Sequence, residues 1–228
     1  MSANSETLRP EVKRFSSEAR EALQQQGYVI YELKGESIQS LKDAGRPIKQ
    51  TWENHLPHHT YKHSFSYPEF DEMQSMRSEV AVNPEKPFLR WSGFRRFKGQ
   101  EASVRRFSKR LNKRVPGAEA KMGEAPDYIE LAFQHQDKTG KQLYTEPHPV
   151  TKSFYKGADT PQVATISFHP EGSIWVQSWI TEMSHHGIGA MPLIVPAEIR
   201  PQKKDGATAQ YKTPGLQSFA NIFRRQAR

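Results

Sequence analysis

One amphipathic segment, residues 99–115, constrains the fold more than any other part of the chain. At 100° per residue, four apolar residues fall on one side of a helix: Val104, Phe107, Leu111 and Val115. Six cations fall on the opposite side: Arg105, Arg106, Lys109, Arg110, Lys113 and Arg114. Pro116 and Gly117 then predict the end of the helix. We expect a helix that buries Phe107 and Leu111 and presents its cations to solvent.

The positive charge of the chain is concentrated in the same region. Between Phe94 and Arg114 there are nine basic side chains and one acid, Glu101, and this excess equals the net charge of +8 for all 228 residues. The three cations that precede the helix or lie at its start are Arg95, Arg96 and Lys98. Because local fields select partners, the segment is predicted to meet a polyanion.

Aromatic residues alternate with cations just before the helix. Three aromatic residues, Trp91, Phe94 and Phe97, alternate with four cations, Arg90, Arg95, Arg96 and Lys98. Aromatic rings stack on nucleobases while neighbouring cations pair with phosphates. Trp91 and Phe94 therefore join the nine cations as predicted nucleic-acid-binding residues. The alternative interpretation is an ordinary surface helix with a solvated basic face and a few core aromatics.

Composition limits the class of protein. The 228 residues are 35% apolar, with a mean hydropathy of −0.81, which suits a polar globular domain with a core of its own. Cysteine is absent, which excludes disulfides and thiolate ligands. No apolar run has the length of a membrane span, and the first residues lack the apolar centre of a secretory signal. We expect a cytoplasmic protein.

The first part of the chain predicts short elements separated by a long loop. Residues 10–26 carry an apolar stripe typical of a helix, and residues 28–33 are β-branched and aromatic, as in strands. Residues 37–44 predict a short helix. Residues 48–77 show no regular pattern and are expected to form a long loop that includes a turn of helix. Residues 78–82 predict a short strand.

Residues 127–135 admit two interpretations. Their apolar residues alternate, which predicts a strand, and residues 141–145 would then return as its hairpin partner. The same residues include good helix formers, so a helix that begins at Asp127 is the competing prediction.

The strongest hairpin signal lies further along the chain. Residues 162–168 and 173–180 are both typical of strands, and the His-Pro-Glu-Gly sequence between them suits a type I turn. Residues 173–180 are apolar on both faces, which predicts a central strand. Residues 190–195 form a short strand-like run that is interrupted by Pro192 and followed by Pro196, which predicts an edge strand.

These elements predict a single α+β domain over residues 10–200. Its sheet is expected to be mostly antiparallel, with N-terminal, central basic and C-terminal helices. Residues 1–9 are polar and predicted to form a disordered tail. Residues 201–228 predict a polar linker followed by a short C-terminal helix.

A histidine-rich loop offers candidate metal ligands: His55, His58, His59 and His63. Imidazoles with nearby carboxylates form ligand sets for zinc and related ions. The spacing matches no ligand motif, however, and HExxH is absent, so we predict no metal and no cofactor. The rings of His185 and His186 are expected to point in different directions unless the backbone bends between them.

Other catalytic signatures are weak or missing. Glu119, Asp127 and Glu130, with Lys121 nearby, resemble the carboxylates that hold Mg²⁺ for phosphodiester cleavage, but such acids are also ordinary residues of strand ends. Phosphate-binding loops, the nucleophile elbow and kinase signatures are absent. We therefore expect a protein without enzymatic activity.

Our leading hypothesis is a non-enzymatic protein that binds a polyanion, nucleic acid first, through the basic helix face. A structural or interaction protein whose basic face meets an acidic partner protein is the first alternative. A metal-dependent hydrolase that uses the histidine-rich loop is the second.

Overall fold

The computed structural model describes residues 11–53, 62–63, 68–155 and 160–198, which belong to one compact unit. Its helices are α1 (Ser17–Gln25), α2 (Ile38–Asp43), α3 (Pro68–Asp71), α4 (Phe97–Arg114) and α5 (Ala125–Thr139). Its strands are β1 (Val29–Lys34), β2 (Ile48–Glu53), β3 (Lys62–His63), β4 (Arg77–Val82), β5 (Ala118–Lys121), β6 (His148–Phe154), β7 (Gln162–Phe168), β8 (Ile174–Ile180), β9 (Ile188–Gly189) and β10 (Leu193–Pro196). The predicted α+β fold class is confirmed.

The two ends of the chain carry predictions that the structure leaves open. The tail over residues 1–9 and the linker and C-terminal helix over residues 201–228 lie outside the described residues. Among the helices described above, none is long and apolar enough to cross a membrane.

The strands form two sheets. Sheet I has the order β1-β4-β10-β5 and is antiparallel throughout. Sheet II has the order β3-β2-β8-β7-β6-β9, in which β2 and β8 run parallel, as do β6 and β9. The pairing is mostly antiparallel, as predicted, but the division of the strands between two sheets was not predicted.

Helix α5 lies between the two sheets and forms the centre of the main hydrophobic core. Tyr128 and Leu131 share one buried cluster with Leu33 and Leu193 of sheet I and Ile166 of sheet II. Ten of the fifteen residues of α5 are buried. The opposite face of sheet I is covered by α1 and α4.

The prediction of a strand over residues 127–135 is wrong, and the competing helix is correct. Burial on nearly all sides of α5 leaves no polar stripe, so the 3.6-residue period is weak and a period of two fits as well. The predicted hairpin partner over residues 141–145 forms no strand.

Helix α1 begins later than the sequence pattern predicts. Ser16 caps it, with its hydroxyl accepting a hydrogen bond from the Ala19 amide at 3.2 Å. Residues 11–16 run extended beside β4 instead, since the Glu79 amide donates to the Lys13 carbonyl at 2.8 Å. The prediction that the helix already includes residues 11–16 is therefore wrong, because the N-cap Ser16 sets the start of α1 at Ser17.

The region predicted as a long loop, residues 48–77, contains regular structure. Residues 48–53 form β2, whose Ile48 pairs with Ile174 of β8. β3, α3 and the start of β4 follow. The short helix α3 agrees with the expected turn of helix, but the loop prediction is wrong for the strands, because β2 is defined by its pairing with a distant strand. Residues 54–61 and 64–67 lie outside the description.

The predicted hairpin is confirmed as β7 and β8, which pair in register from Gln162 with Ile180 to Phe168 with Ile174. β8 is also an inner strand, as predicted, because β2 flanks its other side. The prediction that residues 190–195 form an edge strand is wrong, since β10 lies between β4 and β5. Pro192 precedes β10 and Pro196 is its last residue, so neither proline interrupts the hydrogen bonds in the middle of the strand.

Helix α4 packs against both sheets along its length. Its first half contributes Phe97 and Val104 to a cluster that contains Trp179 of sheet II. Its second half contributes Leu111 to a cluster with Ile194 of sheet I. α4 is therefore held firmly on one side along about five turns.

Candidate functional site

Helix α4 confirms the predicted basic helix. It runs over 18 residues, from Phe97 to Arg114, with Val115 as C-cap. Gly117 then has φ 83°, in the left-handed region that glycine adopts without strain, and the chain turns into β5.

The apolar stripe of α4 packs as predicted, with one exception. Val104, Leu111 and Val115 are buried. Phe107 is only partly buried and packs against the margin of the cluster on sheet I. The prediction that Phe107 is buried is confirmed only in part, because its ring lies at the edge of the contact and not at its centre.

The six predicted cations on the other side of α4 are all exposed. From Arg105 to Arg114 they extend over about 14 Å of helix axis. None of them forms an ion pair with a carboxylate in the described part of the chain. We call this surface the basic face.

The three remaining predicted cations extend toward the start of α4. Lys98 is exposed and lies within about 20° of Arg105 and Lys109 around the helix axis, so it lengthens the basic face by two turns. Arg95 is exposed on the preceding loop. Arg96 is the N-cap residue and forms an exposed ion pair with Glu182 at 3.2 Å.

The loop of residues 88–96, which we call the aromatic loop, presents two large apolar side chains to solvent. Trp91 is 61% exposed and Phe94 is 66% exposed, with their ring centroids 5.9 Å apart. The Arg90 guanidinium lies 5.1 Å from the centroid of the Trp91 ring. Trp91 has φ 63°, a conformation that is unfavourable for a bulky residue by about 1–3 kcal/mol. In contrast to these two exposed rings, the side chain of Phe97 at the start of α4 is buried.

Hydrogen bonds fix the aromatic loop against residues 181–190. The Leu89 amide donates to the Ala190 carbonyl at 2.9 Å, and the Ala190 amide donates to the Ser92 hydroxyl at 2.9 Å. At the start of α4, the Phe97 amide donates to the Thr181 carbonyl at 3.1 Å. The exposed rings are thus carried on a loop with ordered ends.

Gly93 marks the closest approach between the two segments. A Cβ atom at this position would lie 2.8 Å from the carbonyl oxygen of His186 and 3.0 Å from those of His185 and Ile188. Real Cβ atoms do not approach oxygen so closely, so the contact requires glycine. The aromatic loop and the His185–His186 turn are therefore direct neighbours.

A cavity of about 760 Å³ opens beside this turn, on the face of sheet II away from α5. Its lining includes Thr165 and Gln177, which pair across β7 and β8. Four imidazole side chains also line it: His148, His169, His185 and His186. We call this feature the histidine cavity.

The rings of His185 and His186 lie 4.3 Å apart at 31°, and the Trp179 ring is 5.7 Å from that of His185. The Gly187 amide donates to His185 Nδ1 at 3.0 Å, which leaves the ring proton on Nε2. The two rings lie side by side because the turn bends the backbone between them, which is the condition under which the sequence allowed them not to diverge. No sequence pattern indicated the cavity, whose lining comes from three separate parts of the chain.

The predicted metal candidates receive no support. His55, His58 and His59 lie outside the described residues, and His63 is described only by its backbone in β3. Within the described part of the chain, no group of three or more His, Asp or Glu residues is arranged to hold a metal ion.

Asp127, one of the nuclease-like carboxylates, has a structural role. Its Oδ1 accepts a hydrogen bond from the Met76 amide at 2.7 Å, and its Oδ2 accepts one from the Glu124 amide at 2.8 Å. Burial raises the pKa of Asp127 to about 6, although both hydrogen bonds act in the opposite direction. The side chain caps the start of α5 and joins it to the residues before β4.

Glu130 has a similar role one turn further along α5. It accepts a hydrogen bond from the Lys34 amide at 2.8 Å and another from the Ser75 hydroxyl. Burial raises its pKa. Glu119 lies on β5 and does not form a metal-holding group with these two acids. The carboxylates therefore satisfy backbone and hydroxyl donors of the fold.

Comparison with protein-family models, with curated proteins and with solved structures gives no match for this chain. A functional hypothesis therefore rests on the surfaces of the molecule. Among the described residues, that hypothesis is built on the basic face, the aromatic loop and the histidine cavity.

Proposed function

We propose that this protein binds nucleic acid without enzymatic activity, with the phosphate backbone on the basic face and unpaired bases on the aromatic loop. The observation that carries the proposal is the basic face itself. Six exposed cations lie on one side of a helix whose other side is packed, and none of them has a carboxylate partner among the described residues.

Unpaired cations held in this way repel one another, and a polyanion removes that repulsion. Each phosphate that they neutralise also releases counterions from the nucleic acid, which supplies most of the affinity of non-specific binding. A helix packed on two sheets presents the charges without a large loss of backbone entropy on binding. Backbone contacts of this kind read no bases, so little sequence preference is expected.

The aromatic loop favours an unpaired strand as the ligand rather than a closed duplex. Stacking a base on an aromatic ring is worth about 1–3 kcal/mol, and it requires a base that is free of its own stack. Trp91 and Phe94 are exposed, adjacent and held on a loop with ordered ends, and Arg90 adds a cation over the Trp91 ring. Strain at Trp91 is the kind of backbone outlier that accompanies functional positions.

An acidic partner protein is the second candidate. Exposed Trp and Arg side chains are also the residues that dominate protein–protein interfaces, and the aromatic loop contains both. A folded partner would bury both rings in a pocket, whereas nucleic acid would bind with a steep dependence on salt.

The test is a titration of 20-nucleotide single strands and duplexes over a range of salt concentrations. With four or five phosphate contacts, log K against log salt for the duplex should have a slope near −4. Arg106→Glu with Arg110→Glu should nearly abolish binding and leave the melting temperature within a few degrees, because both side chains are exposed.

The matched control is Lys34→Glu with Lys141→Glu, which makes the same change in charge at exposed positions outside α4. It should weaken binding less than threefold. Binding that does not respond to salt, or that survives the reversal on α4, would contradict the proposal. A protein that binds neither strand form at low salt would favour the acidic partner.

A further inference from the structure

The histidine cavity has the dimensions and the position of a ligand site. Its volume of about 760 Å³ falls within the range of small-molecule pockets, about 300–1,000 Å³. It opens at the His185–His186 turn, whose carbonyl oxygens contact Gly93 of the aromatic loop. A strand whose bases stack on Trp91 and Phe94 therefore lies beside its rim.

The lining of the cavity is chemically unlike the basic face. No lysine or arginine is among the described residues that line it, and its one carboxylate, Glu146, is exposed. Fixed positive charge is thus lacking where a phosphate would need it. Neutral hydrogen-bonding groups are supplied by Thr165, Gln177 and Ser184, and planar rings by Trp179 and His185.

Gln177 is the most informative of these side chains. It is half-buried on an inner strand, where its backbone position is fixed by pairing on both sides. Its side-chain amide has no hydrogen-bond partner within the part of the chain that the structure describes. An amide presents a donor and an acceptor side by side, the arrangement that pairs with the edge of a nucleobase.

We propose that the histidine cavity receives one unpaired nucleobase from the strand that lies on the aromatic loop. The base packs against the rings of Trp179 and His185, which are inclined at 54° to each other. Its edge pairs with the Gln177 amide, and its sugar and phosphate stay outside with the cations. The inference rests on the proposed function and deepens it, because it identifies single-stranded nucleic acid as the ligand class. A duplex offers no free base unless one leaves the stack.

The test compares two single-stranded DNA 12-mers, one complete and one with four central abasic residues, by fluorescence anisotropy. The wild-type protein should bind the abasic strand at least tenfold more weakly. Gln177→Leu keeps the side-chain volume and removes the amide, and it should reduce this tenfold discrimination to threefold or less. His185→Ala should act in the same direction. Gln24→Leu, on the exposed side of α1, is the matched control and should change nothing.

A second readout separates this inference from the proposed function. Saturation-transfer NMR with free adenosine, which has no phosphate, should show binding to the wild type and to Arg106→Glu with Arg110→Glu, but loss of binding in Gln177→Leu. If Gln177→Leu and His185→Ala both discriminate between the two strands as the wild type does, the proposal that the cavity binds a base is wrong. The proposal that the basic face binds the phosphate backbone is then unaffected. If the charge reversal leaves 12-mer binding unchanged, the proposed function itself fails.

Discussion

Helices α4 and α5 follow one another in the chain with only one short strand between them, yet they have opposite roles. α4 buries one stripe and exposes all six cations of the other side. α5 buries ten of its fifteen residues, including two carboxylates. In α4 the six cations form no ion pair with a carboxylate of the described residues, whereas in α5 Asp127 and Glu130 hold backbone amides of neighbouring segments.

Under the proposed function, α5 serves the stability of the fold and the exposed side of α4 serves recognition. A charged side chain that is buried must satisfy its hydrogen bonds inside the protein, and it is then tied to the fold. A charged side chain that is exposed and without an ion-pair partner contributes little to stability and is free to meet a ligand. The two helices should therefore respond differently to substitution, and the following three changes test that expectation.

The largest effect is expected in α5. Leu131 is fully buried between the two sheets, so Leu131→Ala should lower the free energy of unfolding by about 3–5 kcal/mol. Urea denaturation measures the loss, and Arg110→Ala on the exposed side of α4 is the control, with a change of about 0.5 kcal/mol or less. A loss below 1 kcal/mol at Leu131 would mean that α5 is not the centre of the core.

A second, pH-dependent effect follows from Asp127. Its pKa is about 6 in the folded protein against 3.8 when unfolded, so the folded state binds the proton more tightly. The resulting stability is fully present below pH 3.8 and is lost as the pH rises through about 6. About two pKa units correspond to about 3 kcal/mol.

Asp127→Asn removes this titration. Between pH 4 and pH 7, the difference in unfolding free energy between the wild type and Asp127→Asn should fall by about 2–3 kcal/mol, measured by denaturation at each pH. Asp43→Asn, at an exposed position of α2, should show no such trend. A difference that does not vary with pH would mean that Asp127 is not desolvated.

The smallest effect is expected at the margin of α4. Because Phe107 is only partly buried, Phe107→Ala should cost about 1–2 kcal/mol, less than the roughly 3–5 kcal/mol of a fully buried ring. Affinity for nucleic acid should change less than twofold, since the ring lies on the packed side of the helix. Thermal denaturation and the same binding titration check both statements. A large loss of affinity would show that packing and recognition are not separate on α4.

Elements whose signals are local could be predicted from the sequence. The phase of α4 follows from its apolar stripe, and its end follows from Pro116 and Gly117. The β7–β8 hairpin follows from two strand-like runs and the turn between them. Each of these rests on residues within a few positions of one another, where propensity and periodicity act directly.

Only the tertiary structure decided the rest. The residues of α5 fit a strand as well as a helix until two sheets surround them. The inner position of β10 depends on β4 and β5, and the histidine cavity depends on residues from 145 to 188 that meet only when the loops pack. Pairing and burial between distant residues decide these features, and such contacts leave no periodic trace in the segments that make them.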